Sequence, residues 1–123
     1  MKILIVEDEQ VLSKVLKEKF ERSGFEVQVA ADGEVAMTMA RSFKPEVIAL
    51  DLVLPKKNGF TVLKELKEDA EMKEIPVVVV SNLGEDSDIK RAISLGAADY
   101  FVKSQHPINE IVEKVKSVLT ETK

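Results

Sequence analysis

The chain has 123 residues, 45% hydrophobic and 33% charged, which suits one folded domain spanning 1–123 around a single core. A net charge of −4 argues against a general nucleic-acid or membrane-surface binder, which needs a basic face. With no cysteine the chain has neither disulfides nor a thiolate metal site, which fits a cytoplasmic protein.

The first apolar run is Ile3–Val6, within "MKILIVEDE". It is too short for a signal-peptide core, and nothing later in the chain is apolar enough to span a bilayer. A helical pattern follows, with Leu12, Val15, Leu16 and Phe20 on one face and Gly24 as its stop. Val27–Ala30 is the second run. Asp32 is placed to cap a helix reaching Arg41. The third run, Val47–Leu50, ends in Asp51, an acid among apolar neighbours. Burying a carboxylate without a partner costs several kcal/mol, so this residue demands compensation. Phe60, Leu63 and Leu66 form the next helical stripe, entered through Asn58–Gly59. Val77–Val80 is the fourth run. Glu85–Leu95 is acidic in its first turn and carries Lys90 and Arg91 later, matching a helix macrodipole, and Gly96 ends it. Tyr100–Val102 is the fifth run. Pro107 is expected in the first turn of a last helix with the stripe Ile111, Val112, Val115 and Leu119.

Most of these runs are β-branched and continuous, as in strands buried on both faces. Strand and helix alternate five times, which predicts an α/β fold with right-handed crossovers. The expected architecture is flavodoxin-like: a doubly wound, five-stranded parallel sheet of order 2-1-3-4-5 with five helices. Ligands in such sheets bind beyond the carboxyl ends of the strands, at the switch between strands 1 and 3.

Those ends are polar. Glu7 and Asp8 follow the first strand, Asp51 the third, Ser81 and Asn82 the fourth, and Lys103 the fifth. Taken singly, an acid there reads as a helix cap, Ser81 as a turn residue and Lys103 as a solvated charge. Polar residues at all of these ends together point to a shared site. Three crowded carboxylates repel, and some would hold protons unless a cation binds; hard oxygen ligands suit Mg²⁺, or Mn²⁺ in its place. A hydroxyl and an ammonium beside them are donors for an anion, so the site is suited to a phosphoryl group. There is no zinc cluster, no Ser–His–Asp set and no G-x-x-x-x-G-K-[ST] loop; the single histidine, His106, reads as a surface or capping residue.

These segments resemble the receiver domain of two-component response regulators, a family that includes the single-domain chemotaxis regulators. "ILIVEDE" is similar to its opening strand and acidic pair, and "DLVLPKKNGF" to its D-x-x-x-P-x-x-x-G acceptor segment. "VVVVSN" is similar to its Ser/Thr strand, and "GAADYFVK" to its aromatic and lysine. The resemblance covers essentially the whole chain, in order. It implies that Asp51 accepts a phosphoryl group from a histidine kinase or histidine phosphotransfer protein. Asp8 and Asp51 would bind Mg²⁺ (or Mn²⁺), with Glu7 acting mainly through water and Val53 through its backbone carbonyl. Ser81 and Lys103 would contact the phosphoryl oxygens, and Tyr100 would be the aromatic switch. Ser81 drawn to the new oxygens would vacate volume for Tyr100, shifting a protein-interaction face of helix 4, strand 5 and helix 5.

The resemblance therefore implies a phosphorelay switch that assists its own phosphorylation and dephosphorylation, not an enzyme acting on an outside substrate. Its output would be a downstream protein target or a fused domain. The receiver itself would bind neither nucleic acid nor membrane, and would be a monomer or a phosphorylation-dependent dimer. Alternatives are a degenerate receiver scaffold, a receiver excised from a DNA-binding regulator, and an aspartyl phosphatase. The last commonly carries a second acid where this chain has Val53. In the family strand 5 usually ends in Lys-Pro, commonly with a cis bond. Here it reads Lys103–Ser104, and without proline a trans peptide is expected. Val53 and Leu83 are apolar beside the site, so slow loss of the phosphoryl group is expected, because neither orients water.

Overall fold

The computed structural model describes residues 1–121. The order is β1 (Lys2–Val6), α1 (Gln10–Arg22), β2 (Glu26–Ala30), α2 (Gly33–Phe43), β3 (Val47–Leu50) and α3 (Gly59–Glu68). Then come β4 (Val77–Ser81), α4 (Asp86–Ser94), β5 (Asp99–Val102), a short 3-10 turn (Ile108–Glu110) and α5 (Ile111–Glu121). All strands pair in parallel in one sheet of order β2-β1-β3-β4-β5. The expected architecture and switch point are therefore both present.

Strand pleating sorts the core into two layers. Ile3, Ile5, Val47, Ala49, Val78 and Val80 pack with Leu16 and Phe20 of α1 and with the Ile111, Val112, Val115 and Leu119 stripe of α5. Leu4, Val6, Ile48, Leu50 and Val79 face the other way, onto α2, α3 and α4. Full burial of each Val, Ile or Leu is worth about 1.5–3 kcal/mol, so the central strands anchor the fold. β2 is an edge strand and departs from the continuous pattern: Glu26 and Gln28 are exposed while Val27 and Val29 are half-buried.

The expected punctuation is realised. Asp32 accepts hydrogen bonds from the Glu34 and Val35 N–H groups, both at 2.9 Å, starting α2. Asn58 caps α3 through the Thr61 N–H. Gly24 and Gly96, after α1 and α4, have φ of 91° and 107°, a region that favours glycine. Among the described residues no peptide bond is cis, so Lys103–Ser104 is trans as expected. Two expectations differ in detail. Val15 lies at the exposed margin of the α1 stripe. Pro107 precedes the 3-10 turn instead of entering α5. Arg91, in the last turn of α4 as expected, also covers the Phe60 ring with its guanidinium. Among the described residues no helix is long and apolar enough to cross a membrane.

Candidate functional site

The sheet's ladder continues past the strand ends and fixes the backbones that carry the site. The Glu7 N–H donates to the Ala30 carbonyl at 3.0 Å, the Asp51 N–H to Val6 at 3.0 Å and the Lys103 N–H to Ser81 at 2.9 Å. Pleat parity then sorts the side chains, although Asp8, beyond the end of β1, still reaches the same cluster as Glu7 and Asp51. Glu7, Asp51, Asn82 and Lys103 continue the register of Ile5, Ala49, Val80 and Phe101, all in the layer beneath α1 and α5. Asp8, Ser81 and Tyr100 have the opposite parity.

The result is a cleft of about 230 Å³ lined by Glu7, Asp8, Glu9, Asp51, Val53, Asn82 and Lys103. Glu7 and Asp51 are 3% and 6% exposed, whereas Asp8 is open to solvent. Carboxylate oxygens of Glu7, Asp8 and Asp51 all lie within 4.8 Å of one another. Lys103 bridges the two buried acids: Nζ donates to Glu7 Oε1 at 2.6 Å and to Asp51 Oδ2 at 3.1 Å. Glu7 Oε2 accepts from the Glu9 N–H at 3.2 Å, and Asp51 Oδ1 from the Val53 N–H at 3.2 Å. The desolvation of Asp51 is thus offset by an ammonium and a backbone donor.

Electrostatics reflect this crowding. Burial, together with the Asp51 charge, raises the Glu7 carboxyl above its usual range, although Lys103 pulls the other way. For Lys103, burial favours the neutral amine. The hydrogen bond to Glu7 and the Asp51 charge outweigh it, so the ammonium is held more tightly than usual.

The loop that follows β3 is positioned by close packing. The Gly59 N–H donates to the Leu52 carbonyl at 2.9 Å, and a Cβ on Gly59 would fall on the Asp51 carbonyl oxygen. Gly33, opening α2, similarly leaves room for the Lys57 carbonyl. Leu52 is buried in the core, while Val53 stands 60% exposed at the cleft mouth.

Ser81 is fully buried and does not line the cleft; its Oγ accepts from the Leu83 N–H at 3.2 Å. The Tyr100 hydroxyl donates to the Leu83 carbonyl. Burial raises the Tyr100 pKa, with Asp88 and Asp51 adding to it and a hydrogen bond with Ser81 opposing. Tyr100 packs in the α2–α3–α4 layer; it is Phe101 that packs against α5. His106 is exposed, 3.5 Å from Glu110 and tilted against Phe101, consistent with a surface position.

The direct Glu7–Lys103 pair and the part of Glu9 in the cleft go beyond what the strand-end positions imply. Parity carried the signal for Glu7, which continues the inward register of Ile3 and Ile5.

The family model for the response regulator receiver domain matches residues 3–116. The chain belongs to this family. It is 38% identical over 118 residues to the alkaline phosphatase synthesis transcriptional regulatory protein PhoP of Bacillus subtilis (strain 168), covering 96% of this chain and 48% of that one. The phosphorylated cyanobacterial phytochrome response regulator RcpA superposes with a TM-score of 0.87 at 34% identity, covering 99% and 95% of the two chains. The Mn²⁺-bound form of response regulator Rcp1 gives 0.83 at 31% identity, covering 94% and 91%. The chain spans about half the length of the curated relatives it matches.

Receiver domains are phosphoacceptor switches that bind Mg²⁺ or Mn²⁺ in an acidic pocket and interact with histidine kinases and downstream targets. The donor set here fits such a cation: three hard carboxylates converge from two adjacent strand ends, one of them open to water.

Proposed function

We propose that Asp51 is the phosphoacceptor of a receiver spanning 1–123, taking its phosphoryl group from a histidine kinase or histidine phosphotransfer protein. The supporting observation is the Asp51 carboxylate, held at the switch point by Lys103 and facing the Glu7 and Asp8 carboxylates. An Asp51 oxygen attacks phosphorus of the donor phosphohistidine. The new O–P bond forms as the P–N bond breaks, and the imidazole nitrogen keeps the electron pair. Lys103 supplies fixed positive charge beside the equatorial oxygens, so little reorganisation accompanies transfer.

Asp8, Asp51 and the Val53 carbonyl would hold Mg²⁺ or Mn²⁺, which would neutralise phosphoryl charge when bound. Glu7, 3% exposed and held by Lys103 at 2.6 Å, would act mainly through water. Ser81 turns its hydroxyl from the Leu83 N–H toward the new oxygens. Because Tyr100 already bonds the Leu83 carbonyl, that turn stabilises an inward tyrosine present before phosphorylation, a population shift on the face formed by α4, β5 and α5. Relatives about twice as long, several named as transcriptional regulators, support a DNA-binding output on the same chain or a partner.

Intact-mass analysis after treatment with a small phosphodonor and Mg²⁺ tests the reading. Wild type gains one phosphoryl group and Asp51→Asn gains none. Gain on both, or on neither, refutes it; gain on neither favours a receiver scaffold. Turnover of phosphate monoesters abolished by Asp51→Ala would point instead to a phosphatase.

A further inference from the structure

α4 is weakly anchored. Ala92 is its one fully buried residue, Ile93 is 47% exposed, and Glu85 caps its start without a side-chain bond. Its Arg91 pairs with no acid among the described residues; the guanidinium carbon instead lies 4.0 Å from the centroid of the Phe60 ring. Side chains lean toward the N-terminus of their helix, which carries Arg91 back toward the site end of α3. Phe60 directly follows Gly59, whose bare Cα sits against the Asp51 carbonyl and whose N–H holds the Leu52 carbonyl. The ring's position is thus set by the acceptor loop. Phe60, Ala92 and Tyr100 also belong to one apolar cluster, and the Tyr100 hydroxyl holds the Leu83 carbonyl in the loop that leads into α4.

We propose that Phe60 and Arg91 are positioning residues whose cation–π stack couples the acceptor loop at Asp51 to the placement of α4. The inference rests on Asp51 being the phosphoacceptor. A shift of the loop displaces the ring and with it the guanidinium, and by linkage whatever holds α4 in place favours the loop geometry seen here. The stack therefore favours the inward-tyrosine arrangement and tightens binding of a phosphoryl group to the site.

The test is calorimetric titration of the full chain with beryllofluoride and Mg²⁺, with urea stability measured in parallel. Phe60→Leu keeps the bulk and loses the π face; Arg91→Gln keeps the reach and loses the charge. Each is expected to weaken binding roughly two- to fivefold, the size of an exposed cation–π contact. The double variant should be no weaker than either single one, and Phe60→Tyr should bind like wild type. Singles that bind unchanged or more tightly, or a double whose losses multiply, overturn the coupling. A wild type that binds no beryllofluoride overturns the phosphoacceptor reading, and the coupling with it.

Discussion

Replacing Lys103 with methionine tests how the acid cluster is tolerated. The ammonium sits 2.6 Å from Glu7 Oε1 and 3.1 Å from Asp51 Oδ2, and both acids are buried. Methionine keeps most of the stem's volume and removes the charge. Deleting one partner of a buried pair costs about 3–5 kcal/mol, because the charge left behind stays desolvated. Here the cleft opens to water at Asp8, so the lower end, about 3 kcal/mol, is expected at neutral pH. That is a large part of the roughly 5–15 kcal/mol available to a domain. The loss should also depend on pH. Burial already raises the Glu7 carboxyl, and without Lys103 it rises further. A carboxyl whose folded pKa exceeds its unfolded value binds its proton more tightly in the folded state. Stability is therefore regained as pH falls through the folded value toward the ordinary carboxylate range. Urea unfolding of both proteins at about pH 8 and about pH 5.5 reads this directly. The deficit should shrink on acidification, and Mg²⁺ at about pH 8 should stabilise Lys103→Met by more than wild type. A loss under about 1 kcal/mol with no pH dependence would refute the role given to Lys103.

Other perturbations separate positioning from chemistry. Val53→Asn places an amide at the cleft mouth that can orient water, so phosphoryl loss after donor removal should speed up; equal rates would refute the brake. Gly59→Ala drives a methyl into the Asp51 carbonyl, and should cost about 1–3 kcal/mol in urea unfolding and slow phosphorylation. Lys67 donates to the Lys73 and Ile75 carbonyls at 3.1 and 2.7 Å, and burial lowers its pKa. The unfolded chain then holds this proton more tightly. Stability should rise with pH in the window just below the ordinary lysine value of 10.5, and Lys67→Met should lose that slope.

The succession of strands and helices and the list of strand-end residues were legible in the sequence because both follow from periodicity, while the strand order came from the usual arrangement of such sheets. Runs such as Val47–Leu50 and Val77–Val80 have no amphipathic face, which marks central parallel strands. Which polar residue points where needs one further step, counting parity from the buried strand into the loop. That count separates Glu7 from Asp8 and Asn82 from Ser81, although each pair is adjacent in sequence. Contacts between helices were not legible. The Arg91–Phe60 stack depends on the spacing and rotation of α3 and α4, which no local pattern encodes.

Parity also explains why the cleft needs both an exposed and a buried acid. Glu7 continues the inward register and is buried where Lys103 and Asp51 meet, while Asp8, open to solvent, reaches the same cluster from the water side. Glu7 therefore fixes the ammonium, and Asp8 stays solvated and free to exchange its partners. If the two acids were equivalent, Glu7→Gln and Asp8→Asn would weaken Mg²⁺ binding alike. The geometry instead separates them. Glu7→Gln should chiefly loosen Lys103, lowering its pKa and with it the upper limit of the pH range over which the site phosphorylates. Asp8→Asn should chiefly reduce Mg²⁺ affinity at every pH. Calorimetric Mg²⁺ titration and phosphorylation rates across the alkaline range distinguish the two, and indistinguishable profiles would contradict the division of labour.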